Sequence, residues 1–490
     1  MSKFNTKAVN TSRFPNNINR AGGASFAIKD TRTELASVIL SSMLKGDKFY
    51  QTDSDRVEQI FNLVQSLPDK TFAAKAMIYA RQEGNLRSVS HVLANAVAES
   101  AGGVVPLRAA LNKAIVRPDD MTEMASIWFS RHSGKMLPNS MRRAFRDKLE
   151  SNTWNAFQLK RYAKPNSSVK LKDIILLSHP RDKRGLLGHL LNGDLRAETS
   201  LESKLASGQQ ASVAFEELLS EGKLGYMAAV KNIRNALQTG ISDRALDQWC
   251  DLISNRSKVL KSRMLPFRFY DAWMAVKGLP IDHFKLLKVK TAFNKALIHS
   301  AENLDIFNTT DKVALIIDES GSMGWSSTSE CPWKNAIILA AVLYHAMPNV
   351  VVYAFSHSCR KLDFGSLLPI EIIEGTEHGG GATYFRAPMK ELIRTHTVVD
   401  KLIVLTDMQM YSSYHDEGNF PKYLAEYKKI APRVMTLFWD LSGYGESTPL
   451  SLDEKGVLLA SGFSDKLLSV IPKMWRNPNA LVEEIEAIKI

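Results

Sequence analysis

Cysteine is scarce: Cys250, Cys331 and Cys359 are the only three in 490 residues, and they lie far apart. Three such residues cannot build a disulfide scaffold or a thiolate zinc cluster, and they suit a reducing cytosol. No apolar run reaches the roughly 18 residues that a membrane-crossing helix needs, so no membrane partner is expected. The opening stretch, MSKFNTKAVNTSRFPNNINRAGG, lacks the apolar core of a secretion signal, and residues 1–25 read as a flexible N-terminal arm. Catalytic signatures are missing as well: there is no HExxH, no P-loop and no GxGxxG following a strand. These absences leave a cytoplasmic, monomeric protein with no enzymatic chemistry as the expectation.

What is present is positive charge in one place. The net charge is +12, but residues 1–300 carry about +19 and residues 301–490 about −7. An excess that large in one region points to a polyanionic partner, with a solvated lysine-rich surface as the bland alternative.

Residues from about 32 to 298 read as consecutive helices. In Ser88–Ser100, Val89, Val92, Leu93, Ala96 and Val97 fall at helical spacing along one face. In Thr71–Gln82, Ala73, Ala76, Met77 and Ala80 repeat the pattern, and the intervening Gly84 ends the first of the two helices. Similar runs cover Pro106–Ile115, Met121–Ser130, Ser140–Leu149, Leu171–Leu177, Tyr226–Leu237 and Arg244–Ser254. Paired helices of this length suggest an α-solenoid, although no fixed-period repeat stands out.

Near residue 305 the texture changes. Val313–Ile317 is a short unbroken apolar run of the kind buried on both faces of a parallel sheet. Strands at Val350–Phe355, Leu402–Thr406, Val434–Trp439 and Val457–Ala460 then alternate with helices at Asn335–His345, Ala387–Arg394, Pro421–Ile430 and Asp465–Lys473. That alternation predicts a Rossmann-like α/β domain with a central, mostly parallel sheet, whose ligands bind at the carboxyl ends of the strands.

Two of those ends carry aspartate. Asp318, Ser320 and Ser322 follow the first strand, Asp407 follows the third, and Thr383 sits after a Gly379-Gly380-Gly381 turn. Carboxylates and hydroxyls gathered at one sheet edge suit a hard divalent cation, Mg²⁺ first, with Mn²⁺ or Ca²⁺ also accommodated. The competing reading is that both aspartates only cap loop amides. A nucleophilic serine is excluded, because neither Ser320 nor Ser322 has glycine on both sides at the esterase spacing.

The D-x-S-x-S, T and D pattern resembles the metal-ion-dependent adhesion site of von Willebrand A domains. The stretches Gly46–Tyr50, Ala80–Val92, Lys172–Pro180 and Met227–Asn235 resemble the TROVE module. Together they make residues 25–490 similar to the Ro autoantigen family, that is, Ro 60 kDa-type proteins and their bacterial Rsr-type relatives. The resemblance implies three parts: an arm (1–25), a TROVE helical-repeat RNA-binding domain (26–300) and a von Willebrand A-like domain (301–490). It further implies that the helices form a HEAT-like ring whose cavity takes single-stranded 3′ ends of misfolded RNAs. The outer surface would bind small noncoding Y-like RNAs in a ribonucleoprotein serving RNA quality control, with an exoribonuclease such as polynucleotide phosphorylase as a possible partner. One departure is plain: Tyr384 and Phe385 follow Thr383, where the family pattern has an acidic residue and a cysteine. The loop from Gly324 to Trp333 also looks idiosyncratic against the family pattern.

Read on their own, the helices offer an RNA-binding set: Arg87, His91, Arg131, His132, Lys135, Arg142, Arg143, Lys160, Arg161, Lys164, Lys170, Lys172, His179 and Arg181, with Tyr162 as a stacking ring. Cations on phosphates and aromatics on bases hold single strands without sequence readout. His91, four residues after Arg87, is equally readable as a satisfied core histidine. A function of a different class is a protein-adhesion scaffold, in which the metal captures a partner's carboxylate; it leaves the basic helices unexplained.

Overall fold

The computed structural model describes residues 16–41, 50–100, 105–163, 167–181, 184–196, 210–302, 310–324, 331–409, 420–445, 447–462, 470–471 and 473–490. The chain forms two compact units. One comprises residues 1–56, 305–462 and 467–481, the other residues 57–304, 463–466 and 482–490.

The first unit is built on a six-stranded sheet. Its strands are β3 (Val313–Asp318), β4 (Val350–Phe355), β5 (Cys359–Leu362), β6 (Lys401–Thr406), β7 (Met435–Asp440) and β9 (Val457–Ser461). They lie in the order β5-β4-β3-β6-β7-β9, and only β5 runs antiparallel to its neighbour. Every residue of β3 and β6 is buried, which is why those segments read as unbroken apolar runs rather than alternating ones. On one face Ile316, Phe355, Val404 and Phe438 pack with Met389, Leu392, Tyr423 and Leu424 of helices Arg386–Arg394 and Phe420–Tyr427. Helix Pro332–Ala346 packs on β3 and β6 and contributes nothing to that cluster, so it covers the opposite face. The strand order reverses between β3 and β6, and a crevice opens at such a switch point.

The five parallel strands are where the sequence places them. The antiparallel β5 is not anticipated, because Cys359-Arg-Lys-Leu362 is mostly polar and only partly buried. Most of the expected helix at residues 465–473 lies outside the described residues.

The N-terminal segment departs from expectation. Residues 16–27 are not all a loose arm: β1 (Asn17–Ile18) pairs with β2 (Ala24–Ala27), which pairs with β8 (Ser447–Thr448). Helix α1 (Thr31–Leu40), N-capped by Asp30, packs on β9 through its buried face. Residues 26–56 therefore belong to the α/β unit, although the sequence reading groups them with the helices. Residues 482–490 make the opposite exchange: within the helical unit, Lys113 Nζ donates to the Lys489 carbonyl at 2.9 Å.

The second unit is helical throughout its described residues. Its first helices are α2 (Asp53–Ser66), α3 (Thr71–Gln82), α4 (Arg87–Ser100), α5 (Leu107–Ala114), α6 (Pro118–Arg131), α7 (Asn139–Glu150), α8 (Ala156–Tyr162), α9 (Leu171–Ser178) and α10 (Gly185–Asn192). From α3 onward they stack in two rows. Helices α3, α5, α7 and α9 each touch the next but one, and α4, α6, α8 and α10 do the same. Six longer or shorter helices between Ala211 and Glu302 continue the unit. Sequence and structure agree on α3 to α7 to within a few residues. Helix α8 is missed because Lys160, Arg161 and Tyr162 crowd a segment of seven residues whose only fully buried side chain is Leu159.

Candidate functional site

The carboxyl edge of the sheet gathers the expected oxygen donors. Asp318 ends β3 and is fully buried. Its Oδ1 accepts from the Ser320 amide at 2.9 Å, and its Oδ2 accepts from the Thr406 hydroxyl at 2.6 Å. The Ser320 and Ser322 hydroxyls stand 3.3 Å apart. The Gly321 amide donates to the Gly381 carbonyl at 2.9 Å, which lays the glycine turn alongside this loop, and Thr383, two residues on, is buried. Gly381 has φ +105, and a Cβ there would meet His357 Nδ1 at 2.9 Å, so only glycine closes this turn.

Asp407 follows β6 and is also fully buried. Its Oδ1 accepts from the Gln409 amide at 3.0 Å, but Oδ2 has no hydrogen-bond partner. The next residue, Met408, holds φ +66, an uncommon conformation for a non-glycine residue, and its amide donates to the Thr406 hydroxyl at 3.1 Å. Burial first, and then the neighbouring Asp318 charge, push the Asp407 carboxyl well above the usual carboxylate range; the Ser322 hydroxyl offsets part of this. Burial likewise raises Asp318, against the pull of Thr406 and Ser320. Two buried carboxylates raised together, one with an orphaned oxygen, need a cation or protons. Among the described residues no three His, Cys, Asp or Glu side chains gather as a metal-binding cluster. The donor set is therefore two carboxylates plus hydroxyls, which fits a hard oxygen-seeking divalent ion.

Several neighbours are not evident in the sequence. Glu319 points away from Asp318 into a fork with Arg360, Nη2 to Oε2 at 2.7 Å, and also accepts from the Gly379 amide at 3.2 Å. His378 Nε2 lies 3.0 Å from the Ser320 carbonyl, and its ring packs on Trp333 at 5.2 Å. Tyr50 sits beside Ser322, and its ring meets Tyr444 edge-on at 5.7 Å. The Arg20 amide donates to Gln409 Oε1 at 2.8 Å. Asp440, at the end of β7, is already used: its Oδ1 accepts from the Ser442 and Gly443 amides at 2.9 and 2.6 Å. Phe385, at the altered rim, is buried against Phe355 at 4.6 Å and Phe420 at 5.0 Å.

The expected RNA-binding residues divide into two groups. Asp120 lies in the first turn of α6, where Oδ2 accepts from the Val116 and Arg117 amides at 3.0 and 2.8 Å. Around the same carboxylate stand Arg81 at 3.1 Å, Arg87 at 2.7 Å and His91 at 3.1 Å. Burial opposes the charge, yet His91, Arg81 and Arg87 hold the Asp120 carboxyl far below the usual range. His91 is 3% exposed, and burial lowers its imidazole despite Asp120. His91 is thus a core histidine, not a phosphate contact, and Arg87 is tied to Asp119 and Asp120. Arg131 is paired with Glu58 and lies 3.6 Å over the Phe61 ring. His132 is 3.1 Å from Glu99 and packs on Trp128. Arg142 is half-buried and bonds Asn139 at 2.8 Å.

The second group faces solvent. Lys135, Arg143, Lys160, Arg161, Lys170, Lys172, His179 and Arg181 are all exposed. Most of them fall on α7, α8, α9 and the turn after α9, where His179 adopts a left-handed φ of +50. Tyr162 is flanked by Arg117, 4.4 Å from the ring centre, and by Arg161 at 6.0 Å. Lys164 lies outside the described residues.

A family model for the TROVE domain matches residues 195–346. The match begins in the helical unit and runs through β3 and helix Pro332–Ala346 of the α/β unit. The crystal structure of the Ro (Rsr) protein of Deinococcus radiodurans superposes with a TM-score of 0.60 over 91% of this chain and 100% of that one, at 14% identity. This chain carries a TROVE-domain match and shares the fold of that Ro protein. Two curated relatives share a short segment with this chain. Telomerase protein component 1 of Mus musculus is 40% identical over 86 residues, and that of Rattus norvegicus is 39% identical over 77. Those segments are 17% and 16% of this chain and 3% of either relative, so the chain spans a small part of both. Among the described residues, no helix is long and apolar enough to cross a membrane.

Proposed function

We propose that this chain is a Ro-type protein that binds RNA through its helical unit, in a ribonucleoprotein with Y-like small noncoding RNA, and holds single-stranded 3′ ends of misfolded RNAs for quality control. The observation that carries this reading is the row of exposed cations on α7, α8 and α9, in a unit where Arg81, Arg87 and Arg131 are already consumed by acids. Exposed cations on these helices, with Tyr162 among them, suit phosphates and a stacked base. In this reading the two-row helical array is HEAT-like and closes into a ring, and the protein works as a monomer in the cytoplasm with an exoribonuclease such as polynucleotide phosphorylase.

The test compares three RNAs of equal phosphate number at one salt concentration: a hairpin with a single-stranded 3′ tail, a blunt hairpin and a circle. A ring that threads free ends binds the tailed hairpin best. Equal affinities would reduce the helices to a generic polyanion-binding face.

For the α/β unit we infer a von Willebrand A-type domain whose adhesion site holds Mg²⁺, or Mn²⁺ or Ca²⁺ in its place, through Asp318, Ser320, Ser322, Thr383 and Asp407. Bound there, the ion would neutralise both carboxylates and present a Lewis-acidic position to a carboxylate of a partner protein. The orphaned Asp407 Oδ2 favours this adhesion role as a second function beside RNA binding. The two roles separate by mutation: Asp318→Ala abolishes divalent-ion binding and leaves RNA affinity within about threefold, under 1 kcal/mol.

A further inference from the structure

The N-terminal segment meets the carboxyl edge of the sheet at two points. The turn between β1 and β2 supplies the first. Asn19 Oδ1 accepts from the Ala21 and Gly23 amides at 3.1 and 2.8 Å, which shapes that turn, and the Arg20 amide donates to Gln409 Oε1 at 2.8 Å. Gln409 is buried, and its own amide donates to Asp407 Oδ1. Tyr50 supplies the second point. Its phenol shares a hydrogen bond with the Ser322 hydroxyl and lies close enough to Asp407 and Asp318 to feel both charges.

Tyr50 is held by backbone and ring alike. Its amide donates to the Tyr444 hydroxyl at 3.4 Å, its carbonyl accepts from Arg20 Nη1 at 3.2 Å, and its ring meets Tyr444 edge-on at 5.7 Å. Tyr444 is itself buried, so the phenol is anchored to the interior of the unit. Ser322, in contrast, has several claimants: the Ser320 hydroxyl at 3.3 Å, the Asp407 carboxylate and the Tyr50 phenol. A hydroxyl has one proton and two lone pairs. To serve an ion it must turn a lone pair toward it and settle its proton elsewhere. A fixed neighbour removes the alternative orientations before the ion arrives. Groups bonded to an ion's ligand, not to the ion, commonly change its affinity by roughly 10–100-fold.

We propose that Tyr50 is a positioning residue of the ion site: it fixes the Ser322 hydroxyl in the orientation an ion requires, and so makes the N-terminal segment part of that site. The proposal rests on the reading of this sheet edge as a divalent-ion site. It carries a reciprocal consequence. Whatever the docked segment adds to ion affinity, the ion returns as stability of the docked segment.

The experiment uses the full chain and follows Mn²⁺ binding by the electron paramagnetic resonance of the free ion. Wild type should bind the ion and Asp318→Ala should not. Tyr50→Phe keeps the ring on Tyr444 and removes only the hydroxyl; it should weaken binding about tenfold. Ser322→Ala should weaken it at least as much. Adding Tyr50→Phe to Ser322→Ala should then cost less than about twofold more, because the phenol acts through Ser322. Tyr344→Phe, which removes a hydroxyl bonded to the Gly365 carbonyl, should match wild type. The second readout is hydrogen exchange with the site saturated by Mg²⁺. The ion should slow exchange in residues 16–27 and 50–56 of wild type, and markedly less in Tyr50→Phe. If wild type and Asp318→Ala bind Mn²⁺ alike, the sheet edge is no ion site and the proposal falls with that reading. If Asp318→Ala loses the ion while Tyr50→Phe, folded by circular dichroism, binds as wild type does, the ion site stands and the role of Tyr50 is overturned. Effects of Tyr50→Phe and Ser322→Ala that multiply in the double variant overturn it as well.

Discussion

The Thr406 hydroxyl reaches across the switch point of the sheet and donates to Asp318 Oδ2 at 2.6 Å. With the Ser320 amide on Oδ1, Asp318 is oriented from both sides, while Asp407 keeps one oxygen unengaged. The two aspartates therefore differ in what they can give an ion.

The first prediction concerns pH. Both folded carboxyls are raised above their unfolded values, so the native state retains protons that the unfolded chain has released. Without a divalent ion, their contribution to stability is favourable near the ordinary carboxylate pKa, about 4, and declines as pH rises through neutrality. A divalent ion replaces those protons. The Mg²⁺-induced rise in Tm should be larger at pH 8 than at pH 5, and Asp407→Asn should stabilise the metal-free protein at pH 8 while losing the Mg²⁺ response. Scanning fluorimetry at both pH values checks this; a pH-independent Mg²⁺ effect would remove the ion from this pair.

A second prediction uses Tyr50 as a reporter. Its phenol lies beside Ser322 and its ring against Tyr444. Terbium placed at Asp318 and Asp407 should be sensitised by tyrosine excitation, and Tyr50→Phe should reduce saturated emission at least twofold. Asp407→Asn should abolish the signal. Full emission from Tyr50→Phe would mean that the ion binds elsewhere.

The Asp120 cluster gives the third. Breaking a buried ion pair from one side costs roughly 3–5 kcal/mol, so Asp120→Ala should unfold the helical unit at markedly lower urea concentration. Because the Asp120 pKa is depressed on folding, its contribution is complete above the ordinary carboxylate range and is lost as pH falls below about 4. His91→Gln should change stability without changing RNA affinity in the variant that remains folded. A selective loss of RNA binding would return His91 to the binding face.

The fourth follows from the exposed cations. Replacing Lys160, Arg161 and Lys172 with alanine should flatten the slope of log K against log salt for single-stranded RNA by about two units, at roughly 0.7 per phosphate contact. An unchanged slope would take α8 and α9 off the RNA path.

The sheet edge was largely legible in the sequence because its information is local: a buried apolar strand of six residues ends on an aspartate, and that happens at both Asp318 and Thr406-Asp407. What escaped is long-range. Nothing near Tyr50 announces that it will meet Tyr444, and nothing in Arg360 announces a fork with Glu319, 41 positions away. The same limit explains Arg87 and His91. Their helical spacing suits a surface pair as well as a buried one, and only Asp120, brought in by α6, decides between the two. A Lys or Arg count treats Arg81 and Lys160 alike, whereas packing consumes the first and leaves the second in water.

The pairing of β2 with β8 has a consequence for how the protein is made. Phe26 opposes Thr448, so the N-terminal strand must wait for more than 400 further residues to be synthesised before its partner exists. At roughly 5–20 residues per second this is on the order of twenty to ninety seconds on the ribosome. Helix α1 waits as long, since its apolar side chains Leu35, Val38 and Ile39 belong against a unit completed by β9. The helical unit, almost wholly encoded in between, can collapse during that interval. The amino terminus of a nascent chain is thus left with unburied apolar surface for most of its translation, the circumstance in which chaperone capture competes with aggregation.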